Sequence, residues 1–430
     1  MKKYIDKNVY EAALERIRYT FEEFDHVLVA FSGGKDSGVC LNLCYDYAAE
    51  NNCLDKLAMY HLDYEAQYQM TTDYVTECFE GLPGIEKYWL CLPVSADCGC
   101  RMDSGTWIPW KESDRSIWCR SLPDSPYLIT ANEFLIEEGQ RDYDVQDLFA
   151  SRFAETHGKT AVIIGIRTDE SLNRFRAIVS QKKIKPYKDA SYIAGYADYD
   201  DVYKCYPIYD WDVKDIWTYN ARFEKAYNHL YDLYYQAGVP VNQMRVANPF
   251  HSCGVDSLHL YKAIDPNNWG KLVGRVNGVN MTALYGGTTA MGWKKITKPK
   301  HFTWKQYCYF LLGTLPADLR DHYMKKLETS LKFWREKGGC LDDQTIKELE
   351  DEGSEFTNRG AISKQSTKDV ISFDDYLDDT TVKKFKEIPT YKRMCICIIK
   401  NDYYCKYMGF AQTKEEIRKK KEALAKYAKL

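Results

Sequence analysis

The stretch "VLVAFSGGKDSGVCLNLCYDYA", Val27–Ala48, is the most informative part of this chain about its fold. It begins as an apolar run typical of a buried strand, passes through two adjacent glycines, and continues with apolar residues at helical spacing. The glycines let backbone N–H groups converge on an anion, because no Cβ stands in the way. The N-terminus of the following helix adds unpaired N–H donors and the positive end of its dipole. The stretch therefore predicts a strand–loop–helix unit whose loop holds a phosphate chain.

The loop also carries polar side chains suited to an anion. Lys35 supplies a positive charge, and Ser32 and Ser37 supply hydroxyl donors. The spacing is not that of a Walker A loop, which places four residues between its first glycine and the Gly-Lys pair. The sequence therefore predicts a phosphate loop of a different kind.

Strands and helices alternate on both sides of this loop. The predicted strands are 27–31, 56–63, 87–94 and a run within 159–171, and the predicted helices are 8–24, 37–50 and 71–82. This alternation of apolar strands with helices predicts an α/β fold with a doubly wound, mostly parallel sheet. We expect this domain to span residues 1–235 and a mainly helical region to span 236–430. A polar stretch near 350–370 is expected to be flexible.

Composition excludes some classes of protein. The 430 residues carry a formal net charge of −3, so the chain as a whole has no positive charge that would favour binding to a nucleic acid. No signal peptide or membrane-spanning stretch is recognisable, and a cytoplasmic protein without membrane contact is expected. The 15 cysteines are scattered and are expected to be mostly buried thiols. Their spacing matches neither a structural zinc site nor the paired cysteines of an iron–sulfur protein.

The segment S-G-G-K-D-S, residues 32–37, follows an apolar strand directly and resembles the PP-loop of the adenine nucleotide α-hydrolase superfamily. The resemblance implies that the loop binds ATP and that the protein cleaves it between the α and β phosphates. Three further elements resemble the phosphoadenosine phosphosulfate (PAPS) reductase branch of that superfamily. They are "HLDYE" at 61–65, with Tyr64-Glu65 in place of the family's Thr-Gly, "WCRSLP" at 118–123, and "GIRTDES" at 165–171 followed by Arg174.

One family feature is missing. The reductases carry their nucleophilic cysteine in a C-terminal Glu-Cys-Gly-Leu-His element, whereas "RKKKEALAKYAKL" at the end of this chain contains no cysteine. Ordinary reduction of a sulfonucleotide is therefore not expected.

The whole chain resembles the IbrA-type co-activators (immunoglobulin-binding regulator A). The segments that carry this resemblance are "ALERIRYTFEEFDHVLVAFSGGKDS", "GIRTDESLNRFRA", "YPIYDWDVKDIW" and "PTYKRMCICIIKNDYYCKYMGF". Members of that group occur beside a ParB/sulfiredoxin-like protein. The resemblance implies such a partner, and a role in prophage gene regulation or in phage defence.

The resemblance also implies roles for individual residues. Lys35 and Arg167 are the candidate catalytic residues, which would stabilise developing charge together with Mg²⁺. Asp63 is the candidate Mg²⁺ ligand or ribose contact, and the backbone at 58–60 would meet the adenine. The residues predicted to bind ATP are Ser32, Gly33, Gly34, Lys35, Asp36, Ser37, Tyr60, Asp63, Gly165, Arg167, Glu170, Ser171 and Arg174.

A nucleic acid is a further candidate partner. The segment "WKKITKPKHFTWK" interleaves aromatic residues with lysines from Lys294 to Lys305, and the C-terminus is also rich in lysine, with Lys419, Lys420 and Lys421. Such a composition suits a phosphate backbone and base stacking, and it equally suits a solvated surface.

Three functions remain open at this point. The first is an ATP-binding PP-loop protein that works with a partner and either cleaves ATP or only binds it. The second is a sulfur-transfer enzyme that uses Cys119 or another thiol to modify nucleic acid, which a strongly lowered thiol pKa would support. The third is a regulator without catalysis that senses a nucleotide and binds DNA.

Overall fold

The protein is described from a computed structural model, in which the chain divides into two compact units. The first comprises Met1–Cys100 and Thr106–Leu284, and the second comprises Arg101–Gly105 and Tyr285–Leu430. The structure describes residues 6–101, 104–170, 174–175, 178, 186–196, 198–241, 244–246, 248–251, 254–285, 296, 298–361, 363, 368–384, 387–400 and 402–410.

A seven-stranded sheet forms the centre of the first unit, with the strand order β6-β3-β2-β1-β7-β9-β8. All of its neighbouring strands pair in parallel except β8, which runs antiparallel to β9. The strands are β1 His26–Ala30, β2 Leu57–Leu62, β3 Glu86–Leu90, β6 Leu128–Ile129, β7 Thr160–Ile164, β8 Ile193–Gly195 and β9 Val202–Cys205. A separate antiparallel pair joins β4 Ala96–Asp97 to β5 Thr106–Trp107. The predicted α/β class with a mostly parallel sheet is confirmed.

Both faces of this sheet are buried, because successive side chains of a strand point to opposite sides. In β1, Val27 and Val29 pack into one core cluster and Leu28 into the other. In β7, Ala161 and Ile163 follow the first pattern and Val162 the second. This arrangement explains why these strands are apolar throughout and do not alternate with polar residues.

Helices cover the two faces. The helices of the first unit are α1 Val9–Glu23, α2 Lys35–Glu50, α3 Gln69–Gly81, α4 Asp142–His157, α5 Val213–Arg222, α6 Leu230–Gln236, α7 Leu258–Ile264, α8 Pro266–Arg275 and α9 Val279–Tyr285. Residues of α1, α2 and α3 contribute to one core cluster, and residues of α4 contribute to the other. The sheet is therefore doubly wound, as the sequence predicts.

The second unit is mainly helical but contains a small sheet. Its helices are α10 Trp304–Thr314, α11 Ala317–Glu336, α12 Asp343–Asp351 and α13 Tyr391–Ile399. Its antiparallel strands β10 Gly339–Asp342, β11 Thr357–Ala361 and β12 Lys368–Ser372 lie in the order β10-β12-β11. Buried residues of α10, α11 and α13 form one apolar cluster, and Leu341, Leu349, Ile371 and neighbouring residues form a second.

The stretch 350–370, which the sequence predicts to be flexible, contains regular secondary structure over part of its length. Helix α12 reaches Asp351, and residues 357–361 and 368–370 are strand residues. Most side chains of β11 are exposed, which explains a polar composition that reads like a loop. Residues 362 and 364–367 lie outside the described part of the chain.

Across the described residues, no helix is both long enough and apolar enough to cross a membrane.

Candidate functional site

The site lies at the carboxyl ends of β1 and β7, on either side of which the chain adds strands to the sheet in opposite directions. From the central strand β1 the chain adds β2 and β3 on one side, and it later adds β7 on the other side of β1. In open α/β sheets, the loops leaving two such strands diverge and leave a crevice at their carboxyl ends, where ligands bind. The two loops at this position are residues 31–34 after β1 and 165–167 after β7.

Two adjacent glycines shape the first of these loops. Gly33 has a φ of 72°, and a Cβ on it would lie 3.0 Å from methyl carbons of both Thr71 and Val75. Gly34 is the N-cap of α2, so the amide groups of Lys35 and the residues after it open the helix. The first N–H groups of a helix lack partners within it and need acceptors from outside, and an anion is one such acceptor.

The two serines of the loop bond to each other and do not extend away from it. The hydroxyls of Ser32 and Ser37 lie 3.0 Å apart, and the Ser32 amide donates to the Ser37 hydroxyl at 3.2 Å. The Ser37 hydroxyl also lies 3.1 Å from the Gly34 carbonyl, to which it donates. These bonds hold the loop in one shape.

Gly165 brings the two loops together. A Cβ on Gly165 would lie 2.7 Å from the Ser37 nitrogen and 2.8 to 2.9 Å from backbone atoms of Asp36. Any larger residue would push β7 away from the start of α2. The structure thus gives this predicted binding residue a packing role beside the loop.

A buried group of three charges links the loops. The Lys35 ammonium lies 2.9 Å from one oxygen of Asp36, and the Arg167 guanidinium lies 2.5 Å from the other. Only 2% of the Lys35 side chain and 3% of the Arg167 side chain is exposed. Burial acts to raise the pKa of Asp36, but the charges of Lys35 and Arg167 outweigh it and lower that pKa. Two cations and one carboxylate leave a net positive charge at the loop.

Glu170 follows β7 and joins two arginines. It lies 3.4 Å from Arg174, as the predicted motif places it, and 3.3 Å from Arg245. Arg245 lies far along the chain and was not among the sequence predictions. Ser171, the remaining residue predicted here, lies outside the described residues.

Two residues that precede or begin α6 also contact the loop, and sequence reasoning missed both. The Asn228 amide donates to the Gly33 carbonyl at 3.1 Å and to the Thr71 hydroxyl at 3.0 Å. The Tyr231 hydroxyl accepts a hydrogen bond from the Lys35 backbone N–H at 3.1 Å. No spacing signal marks them, since the chain contains 35 tyrosines and several cluster in this stretch.

Tyr60 lies within β2 and belongs to the core. Its ring packs 5.2 Å from that of Phe149, and its hydroxyl donates to Gln146 at 3.2 Å. Its backbone carbonyl accepts a bond from the Phe31 N–H at 2.9 Å, which holds β2 beside the loop.

Asp63 is fully buried, and both of its carboxylate oxygens have partners. Its carboxylate pairs with Arg120 and accepts bonds from the Trp89 indole at 2.8 Å and from the Glu65 N–H at 2.8 Å. Burial acts to raise the pKa of Asp63, but the charge of Arg120 is the main influence that lowers it overall. A Mg²⁺ ion bound to Asp63 would have to displace Arg120.

Glu65 occupies the position at which the reductases carry glycine. It keeps the left-handed backbone that favours glycine, with a φ of 63°, and its side chain is 0% exposed. Arg275 of α8 contacts both carboxylate oxygens, at 2.8 and 3.1 Å. The backbone N–H groups of Trp110 and Cys119 donate to the same carboxylate at 2.8 and 2.9 Å. The substitution thus converts a turn position into the centre of a buried ion pair.

The carboxylates near the loop already have partners within the chain. No group of three or more His, Cys, Asp or Glu side chains that could hold a metal occurs among them. Both oxygens of Asp36 are held by Lys35 and Arg167. Magnesium is often bound mainly through substrate phosphates, so an ion here would arrive with the nucleotide.

Two buried thiols near Asp63 and Glu65, those of Cys119 and Cys91, do not have the character of nucleophiles. Burial raises the pKa of Cys119, which lies 1% exposed beside Glu65. Burial likewise raises the pKa of Cys91. A sulfur-carrying cysteine needs a lowered pKa and access to its substrate, and these two thiols have neither.

Only part of the segment predicted to bind nucleic acid is described. Lys298 donates to the Phe302 carbonyl, and Lys305 pairs with Asp375 at 2.6 Å. Lys294 and Lys295 lie outside the described residues, as do the C-terminal lysines, Lys419, Lys420 and Lys421.

Comparison with known protein families gives two matches, both C-terminal to the loop at residues 32–37. Residues 147–238 match the phosphoadenosine phosphosulfate reductase domain, and residues 238–419 match a domain of unknown function (DUF3440). Residues 147–238 therefore form a PAPS reductase-like part of the chain.

A curated relative places the chain more narrowly. Over 415 residues, which are 95% of this chain and 92% of the relative, it is 32% identical to the uncharacterized protein YbdN of Escherichia coli K12. The chain therefore belongs to the same family as YbdN. The narrower IbrA-type assignment stays a prediction.

Solved structures give weaker similarities. PAPS reductase from Candida auris, as a phosphate complex, is 15% identical over 54% of this chain and 93% of its own, with a TM-score of 0.30. The tRNA thiolase NcsA of Methanococcus maripaludis is 13% identical over 72% of this chain and 90% of its own, with a TM-score of 0.31. FMN adenylyltransferase of Candida glabrata is 16% identical over 53% of this chain and 62% of its own, with a TM-score of 0.28.

Proposed function

We propose that this protein binds ATP with its phosphate chain in the loop 32–37 and hydrolyses it between the α and β phosphates. Water attacks the α-phosphorus and pyrophosphate leaves, so the products are AMP and pyrophosphate. The observation that carries the proposal is the position of the loop. It lies at the carboxyl end of β1, beside β7, at the point where strand order reverses, and it opens the 16-residue helix α2. The positive φ of Gly33 and the absence of a Cβ on Gly33 and Gly34 are compatible with a loop that wraps an anion.

Lys35 and Arg167 have the charge that such a cleavage requires. Breaking the bond between the α and β phosphates places negative charge on the leaving pyrophosphate, and fixed cations in a dry site stabilise it. Both cations share the Asp36 carboxylate in this structure. An entering polyphosphate would compete with Asp36 for them, and Asp36 would keep the two cations in place between catalytic cycles.

The partner and the biological role rest on the IbrA-type resemblance alone. We include in the proposal a ParB/sulfiredoxin-like protein as partner and a role in prophage gene regulation or phage defence. Sulfur transfer through Cys119 is not proposed, because that thiol is buried and burial raises its pKa.

The test uses purified protein with Mg²⁺ and α-labelled ATP, alone and with the partner. We expect AMP and pyrophosphate from the wild type, and none from Lys35→Ala. Lys87→Ala is the matched control, because Lys87 is a buried lysine on β3 whose ammonium bonds to the Phe79 carbonyl, away from the loop. Binding without turnover in every condition would reduce the function to nucleotide sensing. If wild type and Lys35→Ala bind ATP equally poorly, the proposal is wrong.

A further inference from the structure

Tyr231 is placed against the phosphate loop in a way that the loop's own motif does not predict. Its side chain comes from the start of α6, is 3% exposed, and places its hydroxyl 3.1 Å from the backbone nitrogen of Lys35. That nitrogen belongs to the first residue of α2. The tyrosine hydroxyl therefore lies at the helix end where an anion would bind.

The position of this hydroxyl is fixed by its surroundings. Three residues earlier, the Asn228 amide bonds to the Gly33 carbonyl, which ties the approach to α6 directly to the loop. The ring packs 5.3 Å from Trp217, and the Lys35 ammonium lies 5.4 Å from the ring centroid. A Cβ on Gly34 would lie 3.4 Å from the hydroxyl, so the glycine keeps the space in front of it open.

The hydroxyl has a proton to donate. It acts as the acceptor toward the Lys35 N–H, which leaves its own O–H for another bond. In the described part of the chain, the hydrogen bond of this hydroxyl is the one that it accepts from Lys35. Burial raises the pKa of Tyr231, so the group remains a protonated donor at neutral pH. A buried donor without an acceptor is costly, and a phosphate oxygen in the loop would satisfy it.

We propose that Tyr231 is a further ligand of the phosphate chain, donating its O–H to a phosphate oxygen bound at the N-terminus of α2. This inference rests on the proposed function, because it assumes that the loop binds phosphate. It adds to that site a neutral donor that comes from a different helix, on the side of the loop facing α6.

The test compares two tyrosines of the same helix. Tyr231→Phe removes the hydroxyl at the loop, whereas Tyr234→Phe removes one that donates to the Arg245 carbonyl at 3.2 Å from an equally buried ring. The affinity of the full chain for inorganic pyrophosphate and for Mg²⁺–ATP is measured by calorimetry. We expect Tyr231→Phe to weaken both by roughly 10- to 100-fold, as for a lost bond to a charged group. Tyr234→Phe should change them by less than about threefold.

Each other outcome overturns the inference. Unchanged affinity in Tyr231→Phe shows that the hydroxyl makes no bond to phosphate, and tighter binding shows that it obstructs the loop. Equal weakening in both variants indicates packing of α6 as the cause. Failure of the wild type to bind pyrophosphate or ATP overturns the proposed function itself.

A second measurement tests the inference without requiring the Tyr231→Phe variant to fold. The full chain is labelled with 3-fluorotyrosine at position 231 or at position 234, and the ¹⁹F resonance is followed as pyrophosphate is added. The inference requires a shift at position 231 that saturates with pyrophosphate and no matching shift at position 234. A silent resonance at position 231 contradicts it.

Discussion

At the scale of single residues, the Lys35–Asp36–Arg167 group decides whether the loop is an anion site or only a turn. The carboxylate between the two cations lowers the cost of burying them while no ligand is present. Replacing Asp36 with asparagine keeps the shape and removes the competing charge. We expect Asp36→Asn to bind pyrophosphate more tightly, because no carboxylate then competes for the two cations. We expect its free energy of unfolding to fall, because the two buried cations then repel each other. Calorimetry and urea unfolding on the same samples separate the two effects.

Gly165 makes a second prediction at this scale. Gly165→Ala would place a methyl group 2.7 to 2.9 Å from the backbone of Asp36 and Ser37, so the loop must move. We expect a loss of about 1–3 kcal/mol in the free energy of unfolding, and at least roughly tenfold weaker pyrophosphate binding. Gly313→Ala is the control, because that helical glycine has open space around it and alanine there is neutral or stabilising by up to about 1 kcal/mol. Equal melting temperatures and affinities for the two variants would show that the close approach is unimportant.

The buried pair of Asp63 and Arg120 predicts a pH dependence of stability. The folded-state pKa of Asp63 lies below its ordinary value, so the pair stabilises the fold above about pH 4, and this contribution is lost as the pH falls through the folded-state pKa. Asp63→Asn leaves Arg120 buried without its charge partner and should cost about 3–5 kcal/mol at pH 7. Its acid limb below pH 4 should also be shallower than that of the wild type. Urea unfolding between pH 3 and pH 7 gives both quantities, and parallel curves would contradict the assignment.

At the scale of secondary-structure elements, the ion pair of Glu65 and Arg275 holds α8 against the carboxyl end of β2. Arg275 is 5% exposed and Glu65 is 0% exposed, so removing one partner leaves a buried charge. Arg275→Met should therefore cost about 3–5 kcal/mol. In the double variant Glu65→Gln/Arg275→Met the loss should be smaller than the sum of the single losses. Lys392→Met, which breaks an exposed pair with Asp379, should cost at most about 1 kcal/mol.

The elements also show what a sequence can and cannot predict here. The sheet and the loop 32–37 are predictable because their signals are local: apolar strands, helical spacing, and a motif within six residues. Strand β11 escaped prediction because its residues are mostly exposed and polar, so its pairing with β12 leaves little trace in composition. Asn228, Tyr231 and Arg245 escaped because long-range packing brings them to the loop, and nothing in their neighbouring residues indicates it.

At the level of the whole molecule, the family matches and the compact units divide the chain at different residues. The matched families meet at residue 238, whereas the compact units divide after Leu284. Residues between these two positions belong to the first unit and complete its interior. Tyr261 stacks on Tyr68 at 3.9 Å, Arg275 neutralises Glu65, and Arg245 pairs with Glu170 beside the loop. The family boundary therefore does not coincide with a boundary of folding.

This difference predicts the behaviour of two truncated chains. A chain of residues 1–284 contains the whole first unit and should unfold in one cooperative transition and bind pyrophosphate within about threefold of the full chain. A chain of residues 1–238 leaves the Glu65 carboxylate buried without Arg275 and removes the ring that covers Tyr68. Because the first of these losses alone costs about 3–5 kcal/mol, a large share of the stability of an ordinary domain, this shorter chain should be largely unfolded. Circular dichroism, urea unfolding and calorimetry test both chains, and Arg275→Met within 1–284 measures how much of the loss that one ion pair explains. A shorter chain that folds and binds as well as 1–284 would place the boundary of the nucleotide-binding unit at residue 238.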